Sequence, residues 1–349
     1  MKNKIKKIIN WTIFAGLGIL LVWWSLKDFS AEDRVNIVQA MRNADYRWIF
    51  LALCMSVFAH ISRAMRWQQM IAPMSTPPSV ANSFMAVMVG YLSNLALPRL
   101  GEFARCGIVA RYSEVTAQQA IGTVITERAI DMVMLILVML LTLFLEADVI
   151  GGYFNANVME PLKAKYSNTF SENNIYLYVS IFLFGLLAFL LGRYLLRYFR
   201  QSKLWHHLTG IVWGMWQGVI SVRKVRNLPL FIGHSIFIWI MYFITTYVCF
   251  FSTEATRHLG IGAALATLSM GSVGFIATQG GIGAYQLVVT GVLVLYAVEK
   301  EMAYAFSWLA WSAQTIVVLV LGGLSMVMLP IVNGKAIRLK DMTGEEPMA

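Results

Sequence analysis

Long, uninterrupted apolar stretches recur along the chain, and they constrain its fold more than any other feature. Each is about 18 to 25 residues long, which at 1.5 Å per residue is enough to cross a hydrocarbon core of about 30 Å. Charged residues make up only 13% of the 349 positions, whereas soluble domains carry roughly a quarter. The sequence therefore predicts an all-α, polytopic membrane protein with about eight spanning helices.

Basic residues collect at the ends of the apolar stretches, as orientation signals do. Lysines precede residue 8, a basic block covers 193–227, and the loop 146–172 is acidic. This pattern predicts a multi-pass protein of the bacterial cytoplasmic (inner) membrane with both termini in the cytoplasm. The net charge of +10 is thus explained by topology and anionic lipid, and no nucleic-acid partner is expected. We expect one integral membrane domain, 1–330, with halves 47–192 and 228–330 joined by the cytoplasmic connector 193–227, and a cytoplasmic tail, 331–349.

The number of crossings between two basic sites predicts an interrupted helix. Arg66, with Trp67 beside it as an interface anchor, and Arg111 are both expected inside, yet one strongly apolar run lies between them. The segment 79–111 is therefore predicted to enter the membrane and return as a re-entrant hairpin that bends near Pro98. In the second half, 259–278 and 284–298 form either two crossings or a second hairpin. Interrupted segments at corresponding places in two halves predict a transporter built from inverted repeats.

Charged residues are predicted deep in the membrane. Glu127 lies about ten residues, or about 15 Å, into its helix, and Asp131 shares its face. Such charges are costly unless paired, so Arg99 or Arg105 is expected to pair with them and leave a guanidinium for a lipid phosphate. The alternative is a purely structural ion-pair lock. The candidate charged substrate-binding residues are Arg99, Glu102, Arg105, Glu127, Arg128 and Asp131.

A glycine-rich segment, Gln279, Gly280, Gly281 and Gly283, adds a second candidate binding element. Glycine permits backbone conformations whose amides can hold an anionic headgroup, although a tight turn or close helix packing would use the same residues. The cysteines Cys54, Cys106 and Cys249 lack the spacing of a metal site. No catalytic nucleophile motif is present, so we expect neither enzyme activity, metal nor cofactor. Intramembrane chemistry on a lipid headgroup by Glu127 and Asp131 is the least favoured hypothesis.

Four motifs in order resemble a known family. They are Arg63-x-x-Arg66-Trp67, Pro98-Arg99-x-Gly101-Glu102-x-x-Arg105, Glu127-Arg128-x-x-Asp131 and Gly280-Gly281-x-Gly283. Over about residues 5 to 330 the chain resembles the flippase-like family, the membrane region of lysylphosphatidylglycerol synthetases and its stand-alone relatives. The resemblance implies two re-entrant elements and transfer of an aminoacylated phospholipid between leaflets.

The resemblance also implies two differences from these relatives. Many of them carry a cytoplasmic domain that transfers lysine to phosphatidylglycerol, and we expect that domain and its activity to be absent here. Relatives commonly have proline before the double glycine, an acid shortly after it and arginine near position 314, where this chain has Gln279, Gln286 and Gln314. An isoprenoid-linked lipid or a glycolipid is therefore as compatible as a cationic lysyl headgroup.

The leading hypothesis is a lipid flippase or transporter that moves an amino- or glyco-phospholipid between leaflets. The alternative is a membrane accessory protein that docks a lipid-modifying or lipid-glycosylating enzyme through the basic surface 193–226. Membrane phospholipids are the expected partners, and the oligomeric state is left open.

Overall fold

The computed structural model describes residues 20–27, 29–96, 100–155, 160 and 225–343, and every regular element in these ranges is helical. The all-α prediction is confirmed. The helices are α1 (Ala31–Arg42), α2 (Tyr46–Ile71), α3 (Val80–Ala96), α4 (Leu100–Tyr112), α5 (Ala117–Leu145), α6 (Ala147–Phe154), α7 (Leu228–Phe250), α8 (Ile261–Ala277), α9 (Ala284–Leu295) and α10 (Lys300–Thr343).

Four of these helices are long and apolar enough to cross a membrane, namely α2, α5, α7 and the Lys300–Gly334 part of α10. The protein is therefore a membrane protein. Two further apolar stretches of the sequence, 8–26 and 175–192, bear on the number of crossings. Residues 20–26 of the first are described and are helical, whereas the rest of it, the whole of the second and the connector up to residue 224 lie outside the described residues. The total of about eight crossings accordingly stays a prediction.

Local sequence signals explain where several helices begin. Helix α1 starts at a capping box in which Ser30 and Asp33 bond each other's backbone amides, and α5 starts at a capping box formed by Thr116 and Gln119. Such boxes satisfy amide groups that a helix start leaves without partners. They fix the start of α5, and hence the depth of its charged residues.

Helices α3 and α4 form the first hairpin. Their contact is very close, because a Cβ atom added at Gly101 would lie 1.8 Å from the carbonyl oxygen of Gly90. Asn94 accepts a hydrogen bond from the Gly101 amide at 2.8 Å and so caps the start of α4. At about 26 and 20 Å, both helices are shorter than a hydrocarbon core of about 30 Å. The bend predicted near Pro98 falls in 97–99, which is outside the described residues.

Helices α8 and α9 form the second hairpin. A one-turn 3-10 helix, Gln279–Gly281, joins them, and Gly280, Gly281 and Gly283 have positive φ angles of 63°, 76° and 79°. Residues with a side chain rarely adopt these angles, so the glycines make the turn possible. Because α9 is only about 18 Å long, it is too short for a full crossing. The choice between two crossings and a re-entrant hairpin for 259–298 stays a prediction.

The two hairpins open toward opposite ends of the molecule. The Asp45 amide at the start of α2 donates to the Ser252 carbonyl just after α7, at 2.8 Å, so α2 and α7 run in opposite directions. The first hairpin follows the end of α2, and the second follows the end of α7. The order long helix, hairpin, long helix thus occurs twice with inverted orientation, which is the order that an inverted repeat requires.

The tips of the two hairpins touch. The Gln279 side-chain amide donates to the Leu95 carbonyl near the end of α3, at 3.1 Å. The Trp311 indole of α10 donates to the Gly280 carbonyl at 2.7 Å. The interrupted segments of the two halves therefore meet inside the protein.

Candidate functional site

Two carboxylates on one face of α5 form the centre of the candidate site. The Glu127 side chain is fully buried, and the Asp131 side chain, one turn later, is 15% exposed. The capping box at Thr116 sets the start of α5 about 15 Å before Glu127. The predicted depth and shared face of the two acids agree with this placement.

Three arginines from two other helices converge on these carboxylates. Arg63 of α2 donates through Nη1 to Glu127 Oε1 at 2.5 Å and to Asp131 Oδ2 at 2.6 Å. Arg66 donates through Nη2 to Asp131 Oδ1 at 2.7 Å. Arg105 of α4 donates to the second oxygen of Glu127. We call these five residues the ion cluster.

The ion cluster is not electrically neutral. Among the described residues it sets three buried guanidiniums against two carboxylates, which leaves one excess positive charge. The Nε atoms of all three arginines are buried without a hydrogen-bond partner in the described part of the chain. A buried charge is strongly disfavoured unless it is compensated, so the cluster has both the charge and the free donors to accept an anion.

Neighbouring side chains hold the arginines in place. Tyr242 and Ser235 of α7 accept from Arg63 at 3.1 Å and from Arg66 at 3.2 Å. The Arg105 guanidinium lies 4.1 Å from the ring centroid of Trp67, whose indole donates to Thr123 at 2.8 Å. Trp67 is fully buried, so its predicted role as an interface anchor is wrong. Trp67 does not lie at the end of α2, which continues for another turn to the buried Ile71, and its ring packs between helices.

The other predicted charged residues occupy separate positions. Glu102 accepts from Arg128 at 3.0 Å in a pair whose side chains are 32% and 44% exposed. This pair joins α4 to α5 beside the ion cluster but outside its buried part. Arg99 lies outside the described residues, so its predicted pairing with Glu127 or Asp131 stays a prediction, whereas that of Arg105 with Glu127 is confirmed.

The glycine-rich segment lies at the tip of the second hairpin. Two of its backbone amides are engaged within the turn, because Gly281 donates to the Thr278 carbonyl at 3.1 Å and Gly283 donates to the Gln286 side chain at 2.7 Å. These bonds match the tight-turn alternative. The predicted amide cradle would require them to open.

Arg63 and Arg66 are the functional residues that sequence reasoning did not place in the site. The sequence predicts Arg66 to lie on the inside at the end of a crossing, but both arginines are buried. Their spacing of three residues on one helix face, with Met70 and Ile71 still apolar and buried beyond them, is the signal that could have identified them. No group of three histidine, cysteine or acidic side chains in the described ranges could hold a metal ion.

Comparison with known proteins identifies one family. The family model described as the lysylphosphatidylglycerol synthase TM region matches residues 11–322, a range that contains the ion cluster and both hairpins. No curated protein and no solved structure matches the chain significantly.

Proposed function

The chain belongs to the family of lysylphosphatidylglycerol synthase transmembrane regions, and from this premise we propose that it is a flippase that moves a phospholipid between the leaflets of the bacterial cytoplasmic membrane. Membership supports the broader statement that it is a membrane protein of lipid metabolism or transport. The observation that carries the proposal is the ion cluster, with its excess positive charge, beside two inverted hairpins.

The charge of the cluster supports an anionic substrate. A lock that only joined helices would be most stable with equal numbers of buried positive and negative groups, because an unpaired charge in the membrane interior is costly. Here one guanidinium exceeds the carboxylates. A guanidinium matches the geometry of a phosphate in bidentate fashion. The phosphate that every phospholipid carries would supply the missing negative charge.

Asp131 gives the cluster a means of exchanging partners. It is the more exposed of the two acids, and its carboxylate oxygens accept from Arg63 and Arg66 at 2.6 and 2.7 Å. A phosphate oxygen pair could take the same two donors. We infer that the substrate phosphate takes these two donors and that Asp131 shifts onto free Nε groups of the cluster, so that the charge of the phosphate adds to those of both acids. Glu127 keeps Arg63 and Arg105 in place.

The inverted hairpins supply a route. In transporters built from inverted repeats, interrupted helices meet near the middle of the membrane and the two halves rock around the substrate site. The contact of Gln279 with Leu95 joins the hairpin tips, and we propose that both hairpins are re-entrant, the first from the cytoplasmic face. In this proposal the protein transports lipid without chemical change. The alternative docking surface 193–226 lies outside the described residues except for Val225 and Arg226.

A vesicle assay tests the proposal. The purified protein is reconstituted with a fluorescent anionic phospholipid, and the fraction that reaches the opposite leaflet is followed with a membrane-impermeant quencher. Arg66→Gln leaves the cluster with two guanidiniums against two carboxylates and should slow transfer at least tenfold, since a charged hydrogen bond contributes about 1.5–3 kcal/mol.

The matched control is Arg257→Gln, which removes an arginine paired with Glu254 in an exposed loop, at 3.2 Å, and should leave the rate unchanged. Both variants must elute and unfold like the wild type. Transfer by folded Arg66→Gln at the wild-type rate would contradict the site assignment. Absence of transfer by the wild type with every lipid tested would contradict the function.

A further inference from the structure

A second polar site surrounds the place where the hairpin tips meet. The Ser56 hydroxyl of α2 donates to Gln314 of α10 at 3.0 Å, and the Trp311 indole donates to the Gly280 carbonyl at 2.7 Å. Gln279 donates to the Leu95 carbonyl at 3.1 Å. The His60 and Tyr91 rings lie 5.3 Å apart. We call the set the tip ring: Ser56, His60, Tyr91, Leu95, Gln279, Gly280, Trp311 and Gln314.

The contacts close on themselves around four elements. Ser56 and His60 are one turn apart on α2, and their side chains lie within 3.4 Å. Tyr91 and Leu95 lie about one turn apart on α3, and Trp311 and Gln314 lie about one turn apart on α10. Each pair contacts a different neighbour at each end. The tip ring is therefore a continuous band that joins both halves of the protein.

Two polar atoms of the tip ring lack a partner. His60 Nδ1 and Gln279 Oε1 are buried and make no hydrogen bond in the part of the chain that the structure describes. A buried polar group without a partner is destabilising, and native proteins contain few. A ligand hydroxyl both donates and accepts, so hydroxyl groups could satisfy either atom.

The tip ring contains no ionisable group other than the His60 and Tyr91 side chains. The nearest charged residue along α2 is Arg63, one turn and about 4.5 Å from His60, and its positive charge would repel an ammonium group. Amide side chains beside aromatic rings are instead suited to hydroxylated, uncharged groups, since amides supply a donor and an acceptor together. The chemistry of the tip ring thus differs from that of the ion cluster.

We propose that the tip ring binds the uncharged, hydroxylated headgroup, a glycerol or a sugar, of the lipid whose phosphate the ion cluster holds. The position of the phosphate in the ion cluster is taken from the proposed function, whereas the headgroup contacts are inferred from the tip ring itself. The single turn between His60 and Arg63 matches a headgroup joined directly to its phosphate. A hydrogen-bonding site of this kind discriminates strongly against substrates that lack the hydroxyls.

Transfer of three lipids with the same acyl chains tests the proposal. They are fluorescent phosphatidylglycerol, phosphatidic acid, which has no headgroup alcohol, and phosphatidylethanolamine, which has an ammonium group. The wild type should transfer phosphatidylglycerol at least tenfold faster than either of the others. Gln279→Leu and Gln314→Leu should each reduce that preference by about three- to tenfold, because each removes hydrogen bonds to the headgroup.

The readout is the ratio of phosphatidylglycerol to phosphatidic acid transfer, because a loss of folding or of hairpin contact slows both lipids alike, whereas loss of a headgroup contact slows phosphatidylglycerol more. Gln118→Leu is the matched control, since Gln118 is exposed at the start of α5, and it should keep the full preference. Equal transfer of phosphatidylglycerol and phosphatidic acid by the wild type, faster transfer of phosphatidylethanolamine, or an intact preference in both glutamine variants would each overturn the proposal.

Equilibrium binding separates this proposal from the flippase function. The same lipids are titrated into the protein in nanodiscs, and bound lipid is counted by native mass spectrometry. If no lipid crosses the bilayer but phosphatidylglycerol still binds better than phosphatidic acid, and Gln279→Leu and Gln314→Leu remove the difference, the tip ring is supported and transport is not. Equal binding of both lipids by the wild type would overturn the tip ring.

Discussion

Removing the charge of Glu127 is the sharpest test of the ion cluster. The substitution Glu127→Gln keeps the size and shape of the side chain, which is fully buried. It removes a carboxylate that accepts from Arg63 and Arg105 and lies 3.7 Å from Arg66. Three buried guanidiniums would then face Asp131 alone, so the excess positive charge would rise from one to two.

The expected loss of stability follows from this burial. Breaking a buried ion pair by removing one partner costs about 3–5 kcal/mol, because the remaining charge is left uncompensated. The matched control is Glu102→Gln, which breaks the pair with Arg128 at 3.0 Å. Those side chains are 32% and 44% exposed, and an exposed pair contributes only about 0–1 kcal/mol. We therefore expect the two glutamine variants to differ by at least 2 kcal/mol, roughly.

The free energy of unfolding in mixed micelles, measured by titration with a denaturing detergent, checks this difference. The double variant Glu127→Gln, Arg105→Gln returns the excess charge to one, so it should be less destabilised than the sum of the single variants by about 0.5–3 kcal/mol. A loss for Glu127→Gln no greater than that for Glu102→Gln would refute the view that the cluster is desolvated. The inference of an anionic substrate would then lose its basis.

Two further predictions concern the hairpins. Gly101→Ala should destabilise the protein by roughly 2 kcal/mol or more, because its Cβ would lie 1.8 Å from the Gly90 carbonyl oxygen. The control is Gly107→Ala on the same helix, whose Cβ would meet nothing within 4 Å and which should be neutral or stabilising. The same detergent titration measures both, and equal effects would contradict the close helix contact. In a cysteine-free background, single cysteines at Met74 and Glu114, which flank the first hairpin, should react with an impermeant thiol reagent from the same membrane face, and a cysteine at Glu254 should react from the opposite face. Labelling of the first two positions from opposite faces would exclude a re-entrant first hairpin.

Much of the fold could be predicted because its signals are local. The length of the apolar stretches predicted the helical membrane class. Because Arg66 and Arg111 are both expected on the inside, the number of crossings between them indicated the first hairpin. A spacing of four residues placed Glu127 and Asp131 on one face of α5. Each inference needs only neighbouring residues and the thickness of a bilayer.

The partners of these acids could not be predicted in the same way. Arg63 lies 64 positions from Glu127, and an arginine near the end of an apolar run has the same sequence appearance whether it faces the cytoplasm or a buried carboxylate. The number of crossings could not identify the second hairpin either, because two full crossings and one re-entrant hairpin both return the chain to the side from which it started. The shape of this hairpin depends on the positive φ angles of Gly280, Gly281 and Gly283. These angles show where the chain turns, but the lengths of α8 and α9 are also needed to describe the hairpin.

The bond between Gln279 and Leu95 also bears on how the protein is made. The last carbonyl groups of a helix lack a hydrogen-bond partner within that helix, and the Leu95 carbonyl accepts from a side chain 184 residues later in the sequence. During synthesis this bond can form only after the second half has been made. We therefore expect the contact between the hairpin tips to be among the last to form and to join the halves only when both are in the membrane.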